Sequence, residues 1–302
     1  MHLRNLHLNG YDFVQLAAAY PPLKAFMAPN PVGKLTIDFA QPKAVKALNA
    51  SLLAHHYGVQ QWDIPEGYLC PAVPGRADYV HFIADLLAED NAGEIPTGQS
   101  IKGLDIGTGA NLIYPIVANR SYDWQMVGSD IHAPSFKNAT LIAQSNPNLK
   151  NNVTVRHQTS PEQIFSGIIH PQETFAFTMC NPPFHESAEA AMSGSVKKNK
   201  NLARHKHKRR GKESTANNRQ SLNFGGQHNE LWCDGGEWRF VKKMLNESVE
   251  FAQQVGWFTS LISKKQHVDS LVKHANTLNI KDCRVVEMTQ GAKLSRFIAW
   301  RF

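Results

Sequence analysis

The chain has few cysteines and no spacing of residues typical of a metal site. Only four cysteines occur among 302 residues, and no two of them form a Cys-x-x-Cys pair. The fourteen histidines contain no His-Glu-x-x-His spacing. Zinc sites need closely grouped thiolate or imidazole ligands, so we expect no metal site and free thiols at Cys70, Cys180, Cys233 and Cys283.

Long apolar runs are missing as well. No stretch approaches the roughly 18 apolar residues needed to cross a bilayer, and the opening MHLRNLHLNG lacks the apolar core of a secretory signal. These absences predict a cytoplasmic protein without a membrane partner. No sequence feature requires a dimer, so we expect a monomer.

One segment lacks acidic residues altogether. Residues 197–212, KKNKNLARHKHKRRGK, hold nine Lys or Arg, and without these cations the formal net charge of +7 becomes −2. A charge run is usually a solvated surface, but this density predicts an arm that neutralises nucleic-acid phosphates. The nine predicted RNA-binding residues are Lys197, Lys198, Lys200, Arg204, Lys206, Lys208, Arg209, Arg210 and Lys212.

The pattern of the chain changes along its length. Residues 1–75 are rich in turns, with a strand candidate KLTIDF and a helix pattern that opens at Pro42. This pattern predicts a small accessory or RNA-binding module. The prolines before Gly75 predict irregular structure up to that residue. Residues 76–302 predict a second, larger domain with a basic insertion at about 194–236.

From residue 101 onward, short apolar strands alternate with helices or loops. The segments IKGLDIG, QMVGSDI, NVTVRHQ, FAFTMC and GWFTSLIS predict a mostly parallel sheet with helices on both faces. The last two strand candidates, CRVVEMTQ and SRFIAWRF, are separated only by GAKL, so they predict an antiparallel hairpin. This seven-stranded α/β layout resembles the class I, Rossmann-like S-adenosylmethionine-dependent methyltransferases.

A glycine turn follows the first of these strands, in LDIGTGANLIYP. The strand ends at Asp105 and turns through Gly107 and Gly109, which lets backbone amides approach a nucleotide-like ligand. Asn111 replaces the third glycine of a dinucleotide fingerprint, which argues against NAD. The next strand ends at Asp130, which could accept bonds from both ribose hydroxyls. Alternatively, the glycines only make a tight turn and Asp130 only caps a helix.

The fourth strand runs into Asn181, Pro182, Pro183 and Phe184, at the same predicted sheet edge as the glycine turn. An exocyclic amine on an aromatic base is a poor nucleophile because its lone pair is delocalised. The Asn181 side-chain oxygen and the Pro182 carbonyl could each accept one N–H, and Phe184 offers a face for stacking. The motif also fits a simple strand terminator. Its combination with the turn and the basic segment favours catalysis at an amine.

Several long stretches resemble the bacterial 23S ribosomal RNA (adenine-N6) methyltransferase F family, which shares its core with a eukaryotic U6 small nuclear RNA adenine-N6 methyltransferase. The stretches are IDFAQPKAVKALNASLLAHHYG, WDIPEGYLCPAVPGRADYVHFIADLL, LDIGTGANLIYPI, CNPPF, GGEWRFVKKMLNES and QGAKLSRFIAWRF. The resemblance implies methyl transfer from S-adenosyl-L-methionine to N6 of one adenine, adenine 1618 of the family, in 23S ribosomal RNA or a large-subunit assembly intermediate.

The resemblance also implies roles for individual residues. Arg76 looks like the arginine that meets the methionine carboxylate, with Gly107 and Asn111 at that end. Asp130 looks like the ribose ligand. Ser160 stands near the adenine-binding position, where the related pattern has Thr. The basic insertion differs in length and content from that of the eukaryotic relatives.

Two other functions stay open at this point. Motifs of this kind also serve enzymes that methylate a glutamine side-chain nitrogen (N5) in a translation factor, although a protein substrate would not need the basic segment. The second alternative is an RNA-binding module on a decayed methyltransferase scaffold, against which the intact Asp105, Asp130 and Asn181 argue.

Overall fold

The structure, a computed structural model, describes residues 1–187, 232–290 and 293–302, with the backbone alone at 289, 290, 293 and 294. The nine cations of the basic run therefore lie outside the described residues. The described parts that precede residue 188 and follow residue 231 meet, because Trp232, inside the predicted insertion, forms a parallel β-bridge with His185. The Cys233 N–H also donates a hydrogen bond to the His185 carbonyl at 3.1 Å.

The N-terminal region contains short elements followed by a long helix. Asp12 caps the first helix, because its side chain accepts hydrogen bonds from two backbone N–H groups of the first turn. The long helix begins at Pro42, as predicted, and ends at Gly58 in the left-handed conformation. The elements are α1 (Phe13–Ala19), a 3₁₀ helix (Pro21–Phe26), the antiparallel pair β1 (Met27–Pro29) and β2 (Leu35–Ile37), and α2 (Pro42–Tyr57).

The next helix, α3 (Val73–Glu89), starts earlier than the sequence predicted. The expectation of irregular structure up to Gly75 was wrong, because Pro74 lies in the first helical turn, where a missing N–H costs no intrahelical hydrogen bond. The apolar face of this helix is buried, with Tyr79 and Ile83 at 0% exposure.

A seven-stranded sheet forms the centre of the fold, in the order β5-β4-β3-β6-β7-β9-β8. The strands are β3 (Lys102–Ile106), β4 (Gln125–Asp130), β5 (Val153–His157), β6 (Phe175–Cys180), β7 (Val255–Ile262), β8 (Asp282–Gln290) and β9 (Lys293–Arg301). Strands β3 to β7 pair with one another in parallel, whereas β9 is antiparallel to both β7 and β8. The predicted mostly parallel sheet with a C-terminal antiparallel hairpin is confirmed.

Two apolar layers hold helices against this sheet. The remaining helices are α4 (Ile113–Tyr122), α5 (Ala133–Ser145), α6 (Gly236–Ser248), a 3₁₀ turn (Val249–Phe251) and α7 (Lys265–Ala275). One layer joins Leu52 of α2 and Tyr79 of α3 to Phe177 of the sheet. The other includes Val241 of α6, Leu271 of α7 and sheet residues. The helices of residues 1–75 thus share a core with the sheet, and their separation as a domain stays a prediction.

The first residues of the chain are fastened to α3 by polar contacts. Asn5 donates to Asp78 Oδ1 at 2.6 Å, and Arg4 donates to Asp85 Oδ1 at 2.6 Å. His81 on the same helix is 3% exposed, and its Nδ1 lies 2.7 Å from the Tyr122 hydroxyl. Burial lowers the pKa of His81 to about 4.

None of the described helices combines the length and apolar character needed to cross a bilayer. Within the same ranges, no group of three or more His, Cys, Asp or Glu side chains is placed to hold a metal ion. All four cysteines are free thiols.

Candidate active site

A cavity of about 730 Å³ lies where the carboxyl ends of β3, β4 and β6 meet. Parallel strands bring these ends to one edge of the sheet, which is where open α/β sheets bind ligands. The turn after β3, the loop after β5, α3 and α6 complete the walls. Of the predicted site residues, the cavity wall includes Arg76, Gly107, Gly109, Asn111, Asp130, Asn181 and Pro183.

The glycine turn leaves open space at one position and supports a carboxylate at the other. Gly107 has φ +71°, and a Cβ placed on it would meet no atom within 4 Å. Gly109 has φ +66°, and its N–H donates to Asp130 Oδ2 at 2.8 Å. The Gly109 amide is therefore engaged by the protein, whereas the Gly107 side of the turn is open to a ligand.

Asp130 lies at the end of β4, and its role as the ribose ligand stays a prediction. Its Oδ1 accepts a hydrogen bond from the N–H of His132, the residue before α5, at 2.8 Å, but no side chain caps the first turn of that helix, so the helix-cap interpretation is not supported. Asp130 also lines the cavity, and each carboxylate oxygen has a second lone pair with which to accept a ligand hydroxyl. Burial raises the pKa of Asp130 above its ordinary value.

Arg76 and Asp105 have different positions relative to the cavity. Arg76 lies on α3, lines the cavity and donates to the Tyr114 hydroxyl at 2.9 Å. Asp105 is fully buried beside the cavity and is absent from its wall. Burial raises the pKa of Asp105 to about 8.

The loop after β5 places a residue that the sequence reasoning missed. Ser160 does not line the cavity, but Gln158 does. Gln158 is 7% exposed, and its Oε1 accepts a hydrogen bond from the Ser160 N–H at 2.9 Å. No local motif marks Gln158, because its role depends on how the loop folds. An adenine contact by Ser160 stays a prediction.

The motif after β6 contains a buried acceptor without a partner, on a residue of the cavity wall. Asn181 lines the cavity, and its buried Oδ1 has no hydrogen-bond partner in the described part of the chain. Buried polar atoms are nearly always hydrogen-bonded, so this oxygen is suited to a ligand N–H. Pro183 also lines the wall, Pro182 is buried, and the half-buried Phe184 is outside the lining.

Helix α6 supplies a cationic and aromatic part of the wall that the sequence reasoning did not single out. Trp238, Arg239, Lys242 and Lys243 all line the cavity. The Lys242 ammonium lies 5.0 Å from the centre of the Trp238 ring, within the range of a cation–π contact. In the sequence, this segment was marked only by its resemblance to the family, in the stretch GGEWRFVKKMLNES.

These groups fit the chemistry of S-adenosylmethionine. Arg76 is a cation suited to a carboxylate, Asp130 is an acceptor suited to a ribose diol, and Gly107 leaves room for close approach. Ile131 and Pro161 add apolar surface that suits a flat base.

Comparison with known proteins agrees with this chemistry. A family described as RNA methyltransferase matches residues 1–302. The ribosomal RNA large subunit methyltransferase F of Pseudoalteromonas atlantica is 52% identical, over 100% of this chain and 92% of the relative. The protein of the same name from Flavobacterium johnsoniae is 50% identical, over 100% and 93% of the two chains.

Solved structures give the same result for the fold. The hMettl16 catalytic domain in complex with the MAT2A 3'UTR hairpin 1 has a TM-score of 0.79 and 28% identity, covering 100% of this chain and 95% of that chain. The N-terminal domain of human METTL16 in complex with SAH has a TM-score of 0.75 and 24% identity, covering 100% and 98%. The full-length matches and the site chemistry lead to one assignment. The chain belongs to the family of RNA methyltransferases, enzymes that take their methyl group from S-adenosylmethionine.

Proposed function

We propose that this enzyme methylates N6 of one adenine in 23S ribosomal RNA, adenine 1618 of the family. The observation that carries the proposal is the unpaired, buried Oδ1 of Asn181, a residue that lines the same cavity as the Gly107 turn. The names of the full-length relatives support a ribosomal substrate.

The residues of the cavity would overcome the poor nucleophilicity of the adenine amine. S-Adenosylmethionine supplies an electrophilic methyl group on a positively charged sulfur. The Asn181 oxygen and the Pro182 carbonyl would accept the two N–H groups and turn the nitrogen lone pair towards that methyl. The N–C bond forms as the C–S bond breaks, and the acidified N6 proton then leaves to water. The target base must first leave its stack to reach this cavity.

Other residues would hold the two substrates. Arg76 would bind the methionine carboxylate, and Asp130 would bind the ribose. Asn111 and Ser160 would lie along the cofactor. Asp105, buried beside the cavity, would support the cofactor site without lining it. Phe184 would contact the flipped base. The nine cations of residues 197–212 would neutralise phosphates of the RNA, and residues 1–75 would add further RNA contacts.

The enzyme would act as a cytoplasmic monomer, on 23S ribosomal RNA alone or on an assembly intermediate of the large subunit. A comparison of both substrates, made with labelled cofactor, tests which one is used. Translation factors belong in the same assay, because a glutamine amide nitrogen would also fit the acceptor of Asn181. Labelling of a factor in place of RNA would overturn the proposal.

The sharpest test is Asn181→Ala. Removal of one aligned acceptor should lower methyl transfer by roughly 100-fold or more, while the affinity for S-adenosylhomocysteine changes little. Asn276→Ala is the matched control, since this exposed asparagine follows α7 away from the cavity. Full activity of the Asn181 variant would exclude this mechanism. Continued methylation of adenine 1618 in cells lacking the enzyme would exclude this adenine as its target.

A further inference from the structure

Glu247, in the last turn of α6, binds three consecutive backbone N–H groups. Its Oε1 accepts hydrogen bonds from Phe165 and Ser166, both at 2.8 Å, and its Oε2 accepts one from Ile164 at 2.8 Å. Three charge-assisted bonds to one carboxylate fix both the position and the orientation of this backbone.

The backbone held by Glu247 belongs to the loop that follows β5. In this loop, the N–H groups of Gln158 and Gln163 donate to backbone carbonyls, whereas those of residues 164–166 all donate to the Glu247 carboxylate. Lys243, one helical turn before Glu247, donates to the Pro161 carbonyl of the same loop at 3.1 Å. Helix α6 therefore fixes the loop at two points.

The other side of this loop is cavity wall. Gln158 and residues 161–164 line the cavity, next to Asp130. Gln158 closes the loop on itself, because its Nε2 donates to the Ser166 carbonyl at 3.0 Å. A displacement of residues 164–166 would therefore move residues that line the cavity.

No other acceptor among the described residues replaces the Glu247 carboxylate at these N–H groups. A glutamine in its place would keep one oxygen but would turn an NH₂ group towards backbone donors. The loop would then lose at least one hydrogen bond and face a donor–donor contact.

We propose that Glu247 is a positioning residue for S-adenosylmethionine, which acts by holding the loop of residues 158–166 in the conformation that completes the cofactor side of the cavity. The inference rests on the use of S-adenosylmethionine and not on the choice of the methylated base. It can therefore fail while adenine N6 methylation stands, and the reverse also holds.

Calorimetric titration of the full chain with S-adenosylhomocysteine tests the proposal. Glu247→Gln should weaken binding about tenfold or more, because each lost or opposed hydrogen bond corresponds to roughly this factor. Glu250→Gln is the matched control, an exposed glutamate three residues later, and its affinity should stay within about twofold of the parent.

Two further measurements separate positioning from general damage. The amides of residues 164–166 should exchange hydrogen faster in Glu247→Gln, whereas binding of in vitro transcribed 23S ribosomal RNA should be unchanged. Unchanged affinity for S-adenosylhomocysteine would overturn the proposal. Equal losses of cofactor and RNA affinity would also overturn it, since they would indicate a loss of structure throughout the molecule.

Discussion

Gly107→Ala tests whether the turn after β3 contacts the cofactor. Gly107 has φ +71°, and a Cβ at this residue would meet no atom within 4 Å. An alanine there would strain the backbone by about 1–2 kcal/mol, because an L-residue pays this amount in the left-handed region. Its methyl group would also extend into the cavity. The free energy of unfolding should therefore fall slightly, while cofactor binding should fall strongly.

Gly33→Ala provides a control with the same strain. Gly33 has φ +77° and equally open surroundings, but it lies in the turn between β1 and β2 and does not line the cavity. Both variants should lose a similar free energy of unfolding in chemical denaturation. The difference in ligand affinity between the two variants then measures the effect of the methyl group that Gly107→Ala adds.

The size of the binding effect follows from overpacking. An extra methyl group in a filled site costs about 1–3 kcal/mol. This range corresponds to roughly 5- to 150-fold weaker binding. Calorimetry with S-adenosylhomocysteine measures it directly. If Gly107→Ala bound this ligand as tightly as Gly33→Ala does, the turn would not be a cofactor contact and the assignment of this end of the cavity would be wrong.

Two further predictions concern stability and pH. Hydrogen bonds from Arg156 hold the pKa of Glu173 well below its usual range, so Glu173→Gln should lower the free energy of unfolding at pH 7 by about 1–3 kcal/mol. That difference should begin to shrink as the pH falls below 4.5, where the unfolded state takes up the proton, and should be lost only as the pH falls through the lowered pKa of the folded state; an equal difference at pH 7 and pH 3 would contradict it. His81 has a folded-state pKa of about 4 and an ordinary value of 6.5, so protonation favours the unfolded chain and stability should fall as the pH drops through this interval. His81→Gln should flatten the dependence of the unfolding midpoint on pH, and an unchanged slope would refute this role.

The strands of the sheet could be predicted because their signals are local. FAFTMC coincides with β6, and the four residues GAKL were too few for a parallel crossover between the last two strands. The start of α3 could not be placed, since Pro74 reads equally well as a helix breaker and as a first-turn residue.

The candidate site was predicted where a motif marks it, or, for Arg76, where the family resemblance does. Gly107, Asp130 and Asn181 stand at strand ends, so the parallel topology brings them together on the cavity wall. Gln158 and Glu247 lacked any such mark. Glu247 bonds to backbone more than 80 residues away, and only the packing of α6 brings the two together.

The bridge between His185 and Trp232 has a consequence for the length of the basic insertion. The fold already holds the two ends of this insertion side by side, a few residues after Asn181. For a flexible loop with fixed ends, closure entropy grows with the logarithm of its length, and doubling the loop costs only about 0.6 kcal/mol. By this relation, a change in the number of residues between His185 and Trp232 should cost the rest of the fold little free energy.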